Sequence, residues 1–147
     1  MQIDLELDPR IENVEADRGR VRQILNNLIV NGVEAVENVA AGHVVTSTRL
    51  ETAGSAEYAT ITVTDNGPGF SRDVLGRVFD PYVTSKPKGT GLGLAIVKKI
   101  VEEHGGRVEA DNRPEGGGRV RVSLPVTDGS RQLVARDRRA EPRKERA

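Results

Sequence analysis

The chain has 147 residues, of which 36% are hydrophobic, 30% charged and 3% aromatic; it carries no cysteine, two histidines and no net charge. That length suits one domain with a buried core, and the inventory excludes a disulfide framework, a thiolate nucleophile, a cysteine-ligated zinc and a histidine-rich metal site. No apolar run approaches the roughly 18 residues of a membrane span, and the N-terminus lacks the basic-then-apolar pattern of a signal peptide, so a cytoplasmic chain is expected.

Gln2 to Leu7 alternates, with Ile3, Leu5 and Leu7 on one side, the period of a half-buried strand. Asp17 can cap a helix from about Arg18 to Val39, where Val21, Ile24, Leu25, Leu28, Ile29, Gly32, Val36 and Val39 recur at helical spacing. Val44 to Leu50 and Tyr58 to Thr64 read as a strand hairpin around Gly54. Residues 65–90 hold several glycines and prolines without periodicity and are too long for a simple connection, so they read as a functional loop. A second amphipathic helix spans about Leu92 to His104, stopped by Gly105 and Gly106. Strands at Arg107 to Asp111 and Arg119 to Leu124 follow, linked by a turn at Gly116-Gly117-Gly118. This order predicts an α/β fold with a mixed sheet and helices on one face. From residue 130 onward seven basic residues stand against three acidic ones. With no aromatics for stacking, residues 129–147 read as a solvated, disordered tail rather than a nucleic-acid or membrane contact, and residues 1–128 as the folded domain.

Four motifs carry the chemistry. Asn27 and Asn31 stand one turn apart on the first helix, bordering its apolar face. An amide oxygen is a hard ligand suited to magnesium, and the same pair also suits an ordinary polar flank. Asp65-Asn66-Gly67-Pro68-Gly69-Phe70 follows a strand: its carboxylate can accept from an exocyclic amino group such as that of adenine, while its glycines allow close approach, or it is plain turn chemistry. Phe79-Asp80-Pro81-Tyr82 holds two of the four aromatics, either as a latch or as a buried anchor, and Lys86 beyond it can reach a phosphate. Gly89-Thr90-Gly91-Leu92-Gly93-Leu94 runs into the second helix, whose free N–H groups and positive dipole end favour an anion. It is neither a P-loop nor a dinucleotide fingerprint.

In this order the four motifs resemble the ATP-binding catalytic domain of sensor histidine kinases, in the superfamily shared with gyrase, the mismatch-repair ATPases and the ninety-kilodalton heat-shock chaperone. The phrase from Phe79 to Gly93 looks most like the nitrogen-regulation subgroup. The resemblance covers about residues 2–125 and implies a two-layer α/β sandwich of the Bergerat type. It implies ATP and Mg²⁺ as cofactors, with Asn31 on the metal and Asn27 beside it. Asp65 would bind adenine, Gly67 and Gly69 would admit the base, and Gly89, Thr90, Gly91, Leu92 and Gly93 would cradle the phosphates with help from Lys86. Asn27 and Lys86 would be the catalytic pair. The lid, residues 70–88, would order on binding nucleotide.

The implied activity is transfer of the γ-phosphate to a histidine on a separate helical phosphoacceptor domain, from which the aspartate of a response regulator receiver would take it. The full-length kinase would be membrane-anchored with this domain in the cytoplasm, free of nucleic acid and of membrane contact. Neither His43 nor His104 sits in a phosphoacceptor motif, so the chain looks like a catalytic domain whose sensor and acceptor parts lie upstream. Relatives often place a hydroxyl residue near the start of the last strand to support the adenine; the register here offers Gly118 and Arg119. Two other readings share these motifs: a protein-serine kinase of the anti-sigma type, and a nucleotide-switched binding module with no transfer chemistry.

Overall fold

The computed structural model describes residues 1–11, 16–84 and 91–126. Helix α1 spans Arg18–Ala35, and it starts where Asp17, in an extended conformation, accepts from the Arg20 N–H at 3.1 Å. That cap satisfies one of the donors every helix start leaves open. Its apolar ridge buries Ile24, Leu28 and Gly32. Helix α3 spans Gly93–Glu103 and stops at His104, after which Gly105 takes the left-handed conformation (φ 73°).

Five strands form one sheet: β1 (Gln2–Glu6), β2 (His43–Ala53), β3 (Ala56–Asp65), β4 (Arg107–Asn112) and β5 (Gly118–Val126), in the order β1-β2-β3-β5-β4. β1 runs parallel to β2, and the remaining pairs are antiparallel. The β2–β3 hairpin turns through Gly54 and Ser55, since Ala53 faces Ala56. Register then divides the two faces. Val44 and Thr46 of β2, Val63 and Ile61 of β3, and Val120 and Val122 of β5 align beneath the helices and are buried. With Ile24 and Leu28 of α1 and Val97, Ile100 and Val101 of α3 they make one core. The other face is polar, with Arg121 beside Glu109 and Arg119 beside Asp111. The expected mixed sheet with helices on one face is therefore the fold.

Three features depart from the sequence reading. The first helix ends at Ala35, not near Val39, because Val36 turns inward to 2% exposure and the chain continues by tighter bonds from Val36 to Val33 and from Glu37 to Glu34. The stripe Ile3, Leu5, Leu7 is not half-buried: these side chains are 49%, 66% and 66% exposed, because no helix among the described residues extends over the edge strand. A short helix, α2 (Arg72–Leu75), begins after Ser71 inside the segment read as an aperiodic loop. The tail, residues 129–147, lies outside the described residues.

Candidate functional site

Asp65 closes β3 on the helix-facing side and is 5% exposed. Its Oδ1 accepts from the N–H groups of Gly67 (2.9 Å) and Gly118 (3.1 Å), while Oδ2 takes no hydrogen bond among the described residues. One oxygen thus holds the turn and the other remains an acceptor. Gly118 keeps the space beside it clear, for a Cβ there would come within 3.3 Å of Oδ2 and 3.1 Å of the Phe70 ring. The neighbouring glycines have packing reasons of their own. A Cβ on Gly67 would strike the Ala35 carbonyl at the end of α1, and Gly69 has φ 81° and would press a Cβ to 2.7 Å from Asn112 Oδ1. Sequence reasoning assigned no work to Asn66 or Asn112. Asn66 accepts from His43 N–H at 2.7 Å and donates to the Ala41 carbonyl at 2.9 Å; Asn112 accepts from Phe70 N–H and donates to its carbonyl. Both amides fasten the Asp65 turn to the strands beside it. An Asn placed next to a Gly-Pro-Gly turn is the available signal, though its partners are distant in sequence.

Asn27 and Asn31 occupy the flank of α1 that also carries Arg20, and Arg20 reaches Glu103 of α3 at 3.7 Å. That flank therefore faces α3, and both half-buried amides stand along the seam between the helices. Asn27 Nδ2 is buried with no partner among the described residues. An unmet buried donor costs roughly 1–3 kcal/mol, so the position fits a polar ligand entering the seam. Because the two ends of an amide interchange by rotation, the same side chain can present oxygen. Among the described residues no three His, Cys, Asp or Glu side chains gather to hold a metal. A cation in this seam would therefore rest on amide oxygen and on oxygens of its ligand, as magnesium commonly does.

At the start of α3 the cap position is Leu92, which offers no side-chain bond, and the first helical residue, Gly93, has open space where a Cβ would stand. Gly91 (φ 76°) accepts from Tyr82 N–H at 2.8 Å, and a Cβ there would meet the Tyr82 Cα at 2.7 Å. The start of α3 thus has no side-chain cap among the described residues, and a helix start of this kind favours an anion. Lys86, Gly89 and Thr90 lie outside the described residues. The two aromatics of the third motif divide between its readings. Phe79 packs on the core beside buried Val78, while Tyr82 is 78% exposed and adopts φ 67°, unusual for a side chain of its size. Phe70 and Phe79, within the expected lid, thus both pack against the core.

Arg119 does not face Asp65: its Nε donates to Asp111 Oδ1 at 2.8 Å across the opposite face, and that guanidinium holds the Asp111 carboxyl below its ordinary range. Both histidines have structural partners. His43 Nε2 lies 2.8 Å from Asp4 Oδ2, and His104 Nδ1 lies 2.8 Å from the Ile100 carbonyl oxygen.

Comparison with known proteins places this geometry in context. The profile of the histidine kinase-, DNA gyrase B- and HSP90-like ATPases matches residues 16–128. The sensory histidine kinase/phosphatase NtrB of Rhizobium meliloti (strain 1021) is 38% identical over 139 residues, covering 88% of this chain and 36% of NtrB. The nitrogen regulation protein NtrY of Azorhizobium caulinodans is 42% identical over 114 residues, covering 74% of this chain and 14% of NtrY. Among solved structures, the nucleotide-free catalytic domain of histidine kinase ThkA superposes with a TM-score of 0.71 at 32% identity, over 84% of this chain and 79% of that one. The chain spans about a third of NtrB's length and about a seventh of NtrY's. The two nitrogen-regulation proteins agree with the subgroup expected from the phrase between Phe79 and Gly93.

Proposed function

Because the chain belongs to the histidine kinase-, DNA gyrase B- and HSP90-like ATPase family, and within it is a histidine-kinase ATPase domain, we propose that it binds ATP between α1 and α3 and passes the γ-phosphate to a histidine on a helical phosphoacceptor domain. A receiver domain would accept the phosphate next. The observation that carries this reading is Asp65, a buried carboxylate with one oxygen committed to Gly67 and Gly118 and the other open. Such an acceptor suits the amino group of adenine and repels the carbonyl oxygen of guanine. Asn27 and Asn31 hold the metal side of the nucleotide, with the Asn27 amide orphaned without a ligand. Gly91, Leu92 and Gly93 present the α3 amides to the phosphates, and Lys86, Gly89 and Thr90 complete that cradle. Gly67 and Gly69 shape the wall behind the base. Mg²⁺, when bound, neutralises phosphate charge during transfer.

The protein's contribution is positioning, since phosphoryl transfer asks little covalent chemistry of it. No helix among the described residues is long and apolar enough to cross a membrane, and we place this domain on the cytoplasmic side of its kinase. Incubating the chain with γ-labelled ATP, Mg²⁺ and a separately supplied helical acceptor domain tests the reading. Acid-labile label on the acceptor histidine is expected. Acid-stable label on a serine would replace it with the serine-kinase reading, and nucleotide binding without label transfer would replace it with the binding switch.

A further inference from the structure

Among the described residues two long helices cover the five strands. α1 lies over β2 and β3, and α3 over β4 and β5. In the parallel register Ile3 pairs with Val44 and Leu5 with Thr46, both buried beneath α1, so Ile3 and Leu5 share the helix-facing side of the sheet. They are nevertheless exposed, as is Leu7 beyond the strand end. Strands lie roughly 4.8 Å apart and packed helices roughly 8–10 Å apart. The next place in the helix layer therefore falls over β1. Its other wall is the outer flank of α1. Arg20 fixes the flank facing α3 through Glu103, and Arg18, Arg22 and Ile29 fall roughly 160–180° around the helix from it. Arg18 and Arg22 are exposed and form no ion pair with described residues.

We propose that this groove, floored by Ile3, Leu5 and Leu7 and walled by Ile29 with Arg18 and Arg22 along its rim, docks an amphipathic helix bearing acidic residues. Charge selects that occupant. The chain's own segment after residue 130, with seven basic against three acidic residues, would be repelled by the two arginines. A second copy pairing edge to edge and antiparallel about Asp4 would set Asp4 against Asp4 and Gln2 against Glu6. The stripe also falls well short of the roughly 800 Å² per partner that a stable dimer buries. A helix with apolar side chains at i, i+3, i+4 and i+7 covers the stripe, and glutamates on its rim meet Arg18 and Arg22.

The proposal is independent of nucleotide chemistry, since none of these residues touches the seam between α1 and α3. The probe is a synthetic helix of about 18 residues with a leucine stripe and glutamate flanks, set against the same peptide with lysine flanks. Methyl shifts of Ile3, Leu5 and Leu7 are expected with the glutamate peptide, which should bind at least tenfold more tightly than the lysine peptide. Leu5→Asp should abolish binding while ATP binding persists, showing that the domain is still folded. The double variant Arg18→Glu/Arg22→Glu should reverse the peptide preference. Equal affinity for both peptides, shifts confined to other surfaces, or self-association abolished by Leu5→Asp in the absence of peptide binding would each overturn it.

Discussion

Asp65 divides its work between its two oxygens, and that division makes its role separable from its structural duty. Replacement by alanine would strip the acceptor from two amides, Gly67 and Gly118, and mix lost recognition with lost stability. Asp65→Asn keeps an oxygen for both amides. The same bonds then force the NH₂ end to the open side, where it donates instead of accepting. The expected outcome is a folded variant in which preference for ATP over GTP falls at least about tenfold, since a hydrogen bond to a charged group is worth roughly 1.5–3 kcal/mol. Competition binding with both nucleotides measures it; unchanged selectivity would remove Asp65 from base recognition. Asp65 was legible in the sequence as a strand-end carboxylate before a glycine turn. The reason for Gly67 was not, because the Ala35 carbonyl that forbids a side chain there lies 32 positions away and is brought close only by the fold.

At the scale of elements, alternation and helical spacing located all five strands and both long helices, because each buries one face against a common core. Periodicity reports which side chains share a face, not how far the opposing layer reaches. Hence Ile3, Leu5 and Leu7 read as half-buried although α1 stops short of them. Polar contacts hold this edge strand instead. Asp8, just past β1, accepts from Arg10 Nη2 at 2.7 Å and from Leu50 N–H at 2.9 Å, bonds that clamp the strand's exit to β2. The Arg10 guanidinium, then the Leu50 and Arg10 amides, hold its carboxyl far below the ordinary 3.8. A carboxylate whose folded pKa is depressed stabilises the fold above its unfolded pKa and loses that contribution as pH falls toward the folded value. Urea unfolding should therefore show Asp8→Asn less stable than the parent at pH 7, with the gap narrowing progressively below about pH 4. A gap independent of pH would assign the clamp to shape alone.

At the scale of the whole molecule, the residue that stands at the base position of the proposed nucleotide site bears on what bound ATP can do. In the hydrolytic members that the sequence resembles, a glutamate stands one helical turn before the magnesium-binding asparagine and activates water. Here that position is Asn27, on the α1 flank facing α3, and its Nδ2 is buried and unpartnered among the described residues. A neutral amide does not take a proton near pH 7, so water in the seam stays a weak nucleophile, whereas an acceptor imidazole brings its own lone pair. The wild-type chain is accordingly expected to release phosphate slowly and to carry no stable label itself, since His43 is engaged with Asp4 and His104 with Ile100. Asn27→Glu supplies the missing base at the same station of the helix. It should raise phosphate release by on the order of tenfold or more, a modest share of the 10²–10⁴ that a well-positioned base contributes, while lowering transfer to an added acceptor domain as ATP drains to water. Phosphate release and acceptor labelling measured on the same samples decide the matter. If wild type hydrolyses ATP rapidly, or if Asn27→Glu leaves the ratio of release to transfer unchanged, the amide does not protect the nucleotide for transfer.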